Sequence, residues 1–262
     1  MITALESKEK LGACHARQFE YSWCQMARKK RERSEDDVRE YPCYSIDEVA
    51  AYIGVPRKTL RNWITGYSYK TTRGRRQAPP VIEPADPEEN LLSFYNLVEA
   101  QVLAATKERS IGLQSIRRAV ECMREKFNED RPLLRCVFDT YGQQIFVQSV
   151  AGKNLKNPLN LSKYGQYGFG AILKKYLRRI DRDANGNPTR IFPMKAGAKR
   201  QRKNIVIHPS LSAGKPSLSK SGVMIEVIWR RKKDGESITN LAKDFRLRPS
   251  EIKAAINYYN AA

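Results

Sequence analysis

A chain of 262 residues with 41% hydrophobic content is long enough for two or three small packed domains. Its 48 Lys and Arg outweigh 28 Asp and Glu, a formal net charge of +20 that favours a polyanionic partner. It contains no apolar run of about 18 residues and no apolar signal core, so neither a membrane span nor export is expected and a cytoplasmic location follows by default. Five irregularly spaced cysteines, Cys14, Cys24, Cys43, Cys122 and Cys136, are then expected as free thiols.

The first 40 residues balance 9 basic against 8 acidic groups and hold the run Arg28-Lys29-Lys30-Arg31-Glu32-Arg33. They read as an arm (1–40) with one helix, ordered poorly or only by a partner. Cys14, His15 and Cys24 match no closed zinc spacing and lack a fourth ligand, so no metal is expected there.

Residues 41–130 form the first folded segment. Ser45 and Glu48 make a capping box, and Ile46, Val49, Ala50 and Ile53 follow at i, i+3, i+4, i+7. Gly54 suits the left-handed residue that ends this helix, and Pro56 suits the start of the next. With Leu60, Trp63 and Ile64 turned inward, Arg57, Lys58, Thr59, Arg61 and Asn62 remain to face out. Those side chains suit phosphates and base edges. The window 56–77 holds seven basic groups and no acid, and Arg73-Gly74-Arg75-Arg76 reads as the tip of a hairpin wing. Asn96 and Glu99 then read as a helix opening that runs to about Lys107, with Val98, Val102 and Leu103 inward. After a break at Gly112 a further helix is expected to Phe127, with Ile116, Val120 and Met123 on one face.

This order of helix-turn-helix, basic wing and two further helices resembles the DNA-binding domain of MerR-type regulators over residues 43–127. Residues 56–63 look like their recognition helix and 94–100 like the entry to their third helix. The wing is longer and richer in proline than is usual. The resemblance implies that Arg57, Lys58, Thr59, Arg61 and Asn62 meet the major groove and that Arg73, Arg75 and Arg76 hold the flanking backbone.

Residues 131–200 read as a middle segment with a small β component. Strands are expected over 134–140 and 144–150, then a loop over 154–164, helix over 171–179, a turn at Asp183–Pro188 and a basic linker at 195–203. The final segment, 201–262, carries a helix over 224–233. It then repeats the first module without a gap: Ser237-Ile238 through Leu241, Ala242, Ile252 and Ala255 follows the spacing of Ser45-Ile46 through Val49, Ala50, Leu60 and Trp63. Arg246 stands where Gly54 stood, and Lys253-Ala254 where Arg61-Asn62 stood. A three-helix domain used for packing or dimerisation is expected.

Pro209, Gly214, Pro216, Gly222, Val223, Gly235, Ser237, Leu241, Ala242 and Phe245 carry a second resemblance. They look like the pattern of a "domain of unknown function" antitoxin family, the VapB-type antitoxins paired with PIN-like toxins. Lys215 and Lys220 depart from it. Residues 165–166 and 181–193 also look like the longer members, which have an N-terminal MerR-like domain. The partner implied is a metal-dependent ribonuclease with an acidic site. An inhibitor of such a site needs cations, which directs attention to Lys215, Pro216, Arg230, Arg231, Lys232 and Lys233 in a quarter with 15 basic and 5 acidic groups.

No P-loop, nucleophile elbow or paired carboxylate motif is present, and Asp181 and Asp183 flank a turn. His208, between Ile207 and Pro209, reads as a strand-end residue. The chain is therefore not expected to be an enzyme or to need a cofactor or metal. The fold class expected is mainly α with a small β component (α+β): a winged helix-turn-helix, a β middle segment and a C-terminal helical domain. The function expected is a type II antitoxin that binds operator DNA and a PIN-like ribonuclease, as a homodimer or toxin–antitoxin hetero-oligomer. A MerR-type or phage-related DNA-binding regulator without a toxin is the alternative.

Overall fold

In the computed structural model, residues 37–72, 74–107, 113–141, 144–150, 153–160, 176–195 and 203–260 are described. The N-terminal arm to residue 36, Arg73, the upstream part of the 171–179 helix and the linker 196–202 lie outside them.

Helix α1 (Ile46–Ile53) starts at Ser45 because two amides there have side-chain partners. The Glu48 amide donates to Ser45 Oγ at 3.2 Å, and the Ser45 amide donates to Glu48 Oε2 at 2.9 Å. Gly54 ends the helix at φ 66°, and α2 (Arg57–Thr65) follows after Pro56. Val49, Ala50 and Ile53 are buried with Leu60, Trp63 and Ile64 in one core, with Ile46 packed at its edge. Gly66, at φ 71°, turns the chain from α2 into strand β1 (Tyr67–Thr71). Strand β2 (Gly74–Ala78) returns antiparallel, with Lys70 opposite Arg75 and Tyr69 opposite Arg76. Beyond this wing the Val81 and Ile82 amides both donate to the Trp63 carbonyl, at 2.7 and 3.0 Å.

Helix α3 (Phe94–Lys107) begins earlier than the Asn96–Glu99 pair suggested. Ser93 is the cap: its amide donates to Asn96 Oδ1 at 3.1 Å, and the Asn96 amide donates to Ser93 Oγ at 3.3 Å. Asn96 is fully buried because it also accepts from the Ala85 amide and donates to the Glu83 carbonyl. One side chain thus fastens the segment after the wing to the helix below it. Helix α4 (Leu113–Phe127) buries Ile116, Val120 and Met123 as expected. Asn128 stops it at φ 49°, and a single turn, α5 (Pro132–Arg135), buries Leu133 and Leu134.

Strands β3 (Cys136–Tyr141), β4 (Gln144–Val150) and β5 (Lys153–Asn160) form an antiparallel sheet in that order. The first two are the expected hairpin. The third runs through a stretch read as loop, since Asn, Lys and Pro disguise an edge strand. Strands β6 (Ile180–Arg182) and β7 (Pro188–Ile191) close around Asp183, whose Oδ1 accepts from the Asn185 and Asn187 amides.

The final segment adds strands β8 (Ile205–Val206) and β9 (Ser217–Leu218) and helices α6 (Ile225–Lys233), α7 (Ile238–Asp244) and α8 (Pro249–Asn260). Ile205, Leu218, Ile225, Ile228, Leu241, Ile252, Ala255 and Tyr258 form its core. The larger core does not stop at residue 130. Tyr176, Ile180, Ile191, Met194 and Ile207 complete it from downstream. The described residues thus comprise eight α-helices and small antiparallel sheets, the α+β class. No helix among them is long and apolar enough to cross a membrane.

Candidate nucleic-acid interface

The outward side of α2 is polar because its inward positions are taken by Leu60, Trp63 and Ile64, all buried. Arg57, Lys58 and Arg61 are exposed, and Thr59 and Asn62 are half-exposed beside them. Arg57 reaches back to Asp47 at 2.5 Å, an exposed pair that competes only weakly with a phosphate. Lys58 and Arg61 make no ion pair among the described residues. Thr65, exposed one turn beyond Arg61, donates to the Arg61 carbonyl at 3.0 Å.

The wing continues this strip. Lys70, Arg75, Arg76 and Gln77 are exposed, and cross-strand register puts Lys70 beside Arg75 on one face. Tyr67 and Tyr69 lie on the other face, 5.9 Å apart. Arg117 of α4 fixes the base of the wing: its Nε donates to the Pro79 carbonyl at 2.9 Å and its guanidinium sits 5.5 Å from the Tyr67 ring centroid. Nothing in the local sequence marks Arg117 for that task, because its partners lie some forty residues upstream. Arg57, Lys58, Thr59, Arg61, Asn62, Arg75 and Arg76 therefore fall on one helix and the hairpin directly after it. Arg73 is outside the described residues.

Tyrosines at two points hold this module against the final segment. Tyr44 donates to the Gly214 carbonyl at 2.9 Å, and Tyr258 donates to the Tyr52 carbonyl at 2.6 Å. Lys195 lies between Gly54 and Tyr258: its Nζ donates to the Tyr258 carbonyl at 2.6 Å, and burial pulls its ammonium down to about 8.

The six residues expected to face an acidic toxin are dispersed. Lys215 pairs with Glu48, the capping carboxylate of α1. Partial burial pushes the Glu48 carboxyl up, but hydrogen bonds from Lys215 and Ser45 hold it below its ordinary value. Pro216 is buried. These two serve the seam, and a partner reaching them must first open it. On α6, Arg230 pairs with Glu226 at 2.6 Å and Arg231 with both Glu236 and Asp244, at 2.5 and 2.6 Å. Lys232 donates to the Glu236 carbonyl, and Lys233 lies 5.1 Å above the Trp229 ring. Arg230 and Lys233 remain the exposed cations of that helix.

Among the described residues no group of three His, Cys, Asp or Glu is placed to hold a metal ion. His208 accepts from the Ser210 amide, and Asp181 pairs with Arg190.

Residues 42–120 match a family described as "Putative DNA-binding HTH domain", and residues 205–259 match one described as "Protein of unknown function (DUF433)". The first match spans α1 to the first half of α4 with the wing, and the second runs from β8 into α8. A Mycobacterium tuberculosis protein named "Putative antitoxin VapB45" is 24% identical over 229 residues, 82% of this chain and 93% of its own. An uncharacterized protein of the same organism is 26% identical over 220 residues, 82% of this chain and 89% of its own. The crystal structure of Rv2018 from Mycobacterium tuberculosis shares the fold, with a TM-score of 0.56 at 20% identity over 82% of this chain and 97% of that one.

Proposed function

We propose that the chain is a DNA-binding antitoxin: it occupies the operator of its own operon and neutralises a PIN-like ribonuclease by direct contact. The observation that carries the DNA half is the acid-free cationic strip from Lys58 and Arg61 on α2 to Lys70 and Arg75 on one face of the wing, with Arg76 exposed beside Tyr69 on its other face. A helix whose apolar side is spent on the core and whose outer side offers Lys, Arg, Thr and Asn has the chemistry of a major-groove reader. A cationic hairpin beside it can grip phosphates without reading bases. The match of residues 42–120 to a DNA-binding helix-turn-helix family supports this.

The antitoxin half is supported by likeness to a protein named as an antitoxin over 82% of this chain. A ligand-sensing regulator usually continues its DNA module into a long dimerisation helix. Here α4 ends at Phe127 with Asn128 in a left-handed conformation, and a buried turn follows. In this reading the exposed cations of α6, Arg230 and Lys233, with Arg231 and Lys232 behind them, face the acidic site of the toxin. Such attraction speeds association and makes it sensitive to salt. The DNA-bound form is a homodimer or a toxin–antitoxin hetero-oligomer, because one module spans too few base pairs to be selective.

Coexpression with the product of the adjacent gene tests it. The expected result is copurification and loss of that product's ribonuclease activity, with weaker capture by the Arg230→Glu, Lys233→Glu variant. An adjacent product that neither copurifies nor is inhibited overturns the antitoxin reading and leaves the DNA reading to be tested separately.

A further inference from the structure

We infer that the second helix-turn-helix, α7 with α8, is a second contact for double-stranded DNA, with Ser250, Lys253 and Asn257 of α8 facing a major groove. This rests on the DNA reading of the first module and extends it to a segment matched by a family of unknown function.

The scaffold repeats in conformation as well as in spacing. Ser237 caps α7 by accepting the Asn240 amide at 3.1 Å, as Ser45 caps α1. Arg246 takes the left-handed corner at φ 53°, where Gly54 sits at 66°. An arginine held there shows that the corner is kept despite the loss of glycine. Leu241 and Ala242 are buried where Val49 and Ala50 are, and Ile252 and Ala255 where Leu60 and Trp63 are.

That repeat decides what faces out. Ser250, Lys253 and Asn257 stand at i, i+3, i+7 on the side of α8 opposite Ile252, Ala255 and Tyr258, and all three are exposed. They occupy the places of Lys58, Arg61 and Thr65. Each can donate to phosphates or to base acceptors. Lys243 at the end of α7 and Arg246 at the corner before α8 are exposed and make no ion pair among the described residues. The nearby carboxylates are already answered by arginines of the same segment: Glu251 by Arg248 at 3.1 Å and Asp244 by Arg231 at 2.6 Å. The surface thus offers uncompensated positive charge and neutral hydrogen-bonding groups, which complements a duplex and not an acidic groove lined with further cations. The second contact supplements the first. The Tyr52–Tyr258 bond joins the two helix-turn-helices directly within one compact unit, residues 38–262.

The test uses the full chain and duplexes that it selects from a random-sequence pool. Wild type, Arg61→Ala and Lys253→Ala/Asn257→Ala are compared by hydroxyl-radical footprinting and by affinity across salt. The inference expects the Lys253/Asn257 variant to lose protection at one end of the footprint. It should also bind about fivefold or more weakly and show a salt slope smaller by about one. Lys253→Glu should be weaker still, and an unchanged thermal melt excludes misfolding as the cause. A Lys253/Asn257 variant with wild-type footprint and affinity overturns the inference, while loss in Arg61→Ala alone leaves the first-module reading intact. If the variant keeps DNA but loses the adjacent gene's product, the stripe is a protein surface and the inference is equally overturned. A wild-type chain that selects no duplex removes both readings.

Discussion

In the proposed DNA contact Arg61 and the wing arginines do different work, and single substitutions separate them. Arg61 projects from α2 with no ion pair among the described residues to compete for it. Arg61→Ala should cost about 1–3 kcal/mol on the preferred site and relax specificity at one position. Arg75→Ala and Arg76→Ala should weaken all duplexes alike and lower the salt slope by roughly one per lost phosphate contact. Affinity titrations on preferred and scrambled duplexes check both. Trp63, 4% exposed in the core with Val49 and Ile53, belongs to stability instead. Trp63→Ala should cost about 3–5 kcal/mol, read as a lowered denaturation midpoint. Lys195 has a pH signature. Its folded value of about 8 lies below that of an unfolded lysine, so between about 8 and 10 the unfolded chain binds the extra proton. Its contribution therefore disfavours folding at neutral pH and is relieved as pH rises through that window. Denaturation at pH 7.5 and 9.5 should show a stability gain of order 1–2 kcal/mol that Lys195→Met removes. The exposed groups of α2 were legible in the sequence because their buried neighbours recur at helical spacing. Lys195 and Arg117 were not, because each answers to partners distant along the chain.

At the scale of elements, punctuation decided what could be read. Ser45, Glu48, Gly54 and Pro56 mark both ends of α1 and the start of α2, and the structure uses each of them. The wing was visible as a glycine between cationic residues. The start of α3 was displaced because Asn96 resembles a cap while serving as the cap's partner, with Ser93 in the capping role. Strand β5 and the single turn α5 were missed: one has the composition of a loop and the other is too short to show a period. The junction between α2 and β1 is the most demanding point of the module. Gly66 has a positive φ, and a Cβ there would overlap the Ala78 carbonyl oxygen. Gly66→Ala should cost at least about 1–2 kcal/mol and displace the wing. Loss of DNA affinity with α2 still helical, seen by circular dichroism and titration together, is the expected outcome.

At the scale of the whole molecule, the segments read as separate along the sequence share a core. Ile207 completes the cluster built on α1 to α4, and Tyr44, Glu48 and Tyr52 are held by Gly214, Lys215 and Tyr258. Such contacts leave no local pattern, since each needs two residues more than a hundred positions apart. A fragment ending at residue 194 should therefore lose the cooperative unfolding transition of the full chain; a sharp melt in that fragment would show that the seam is dispensable. In the proposed function the same seam would put operator contact and toxin contact on one compact unit, residues 38–262. The DNA reading is tested most directly by titrating the full chain onto the duplex upstream of its own gene at several salt concentrations. Wild type should prefer that duplex to a scrambled one, with a steep salt slope, and Arg61→Ala/Arg75→Ala should abolish the preference. Equal affinity of wild type for both duplexes, or undiminished preference in the variant, would contradict the account.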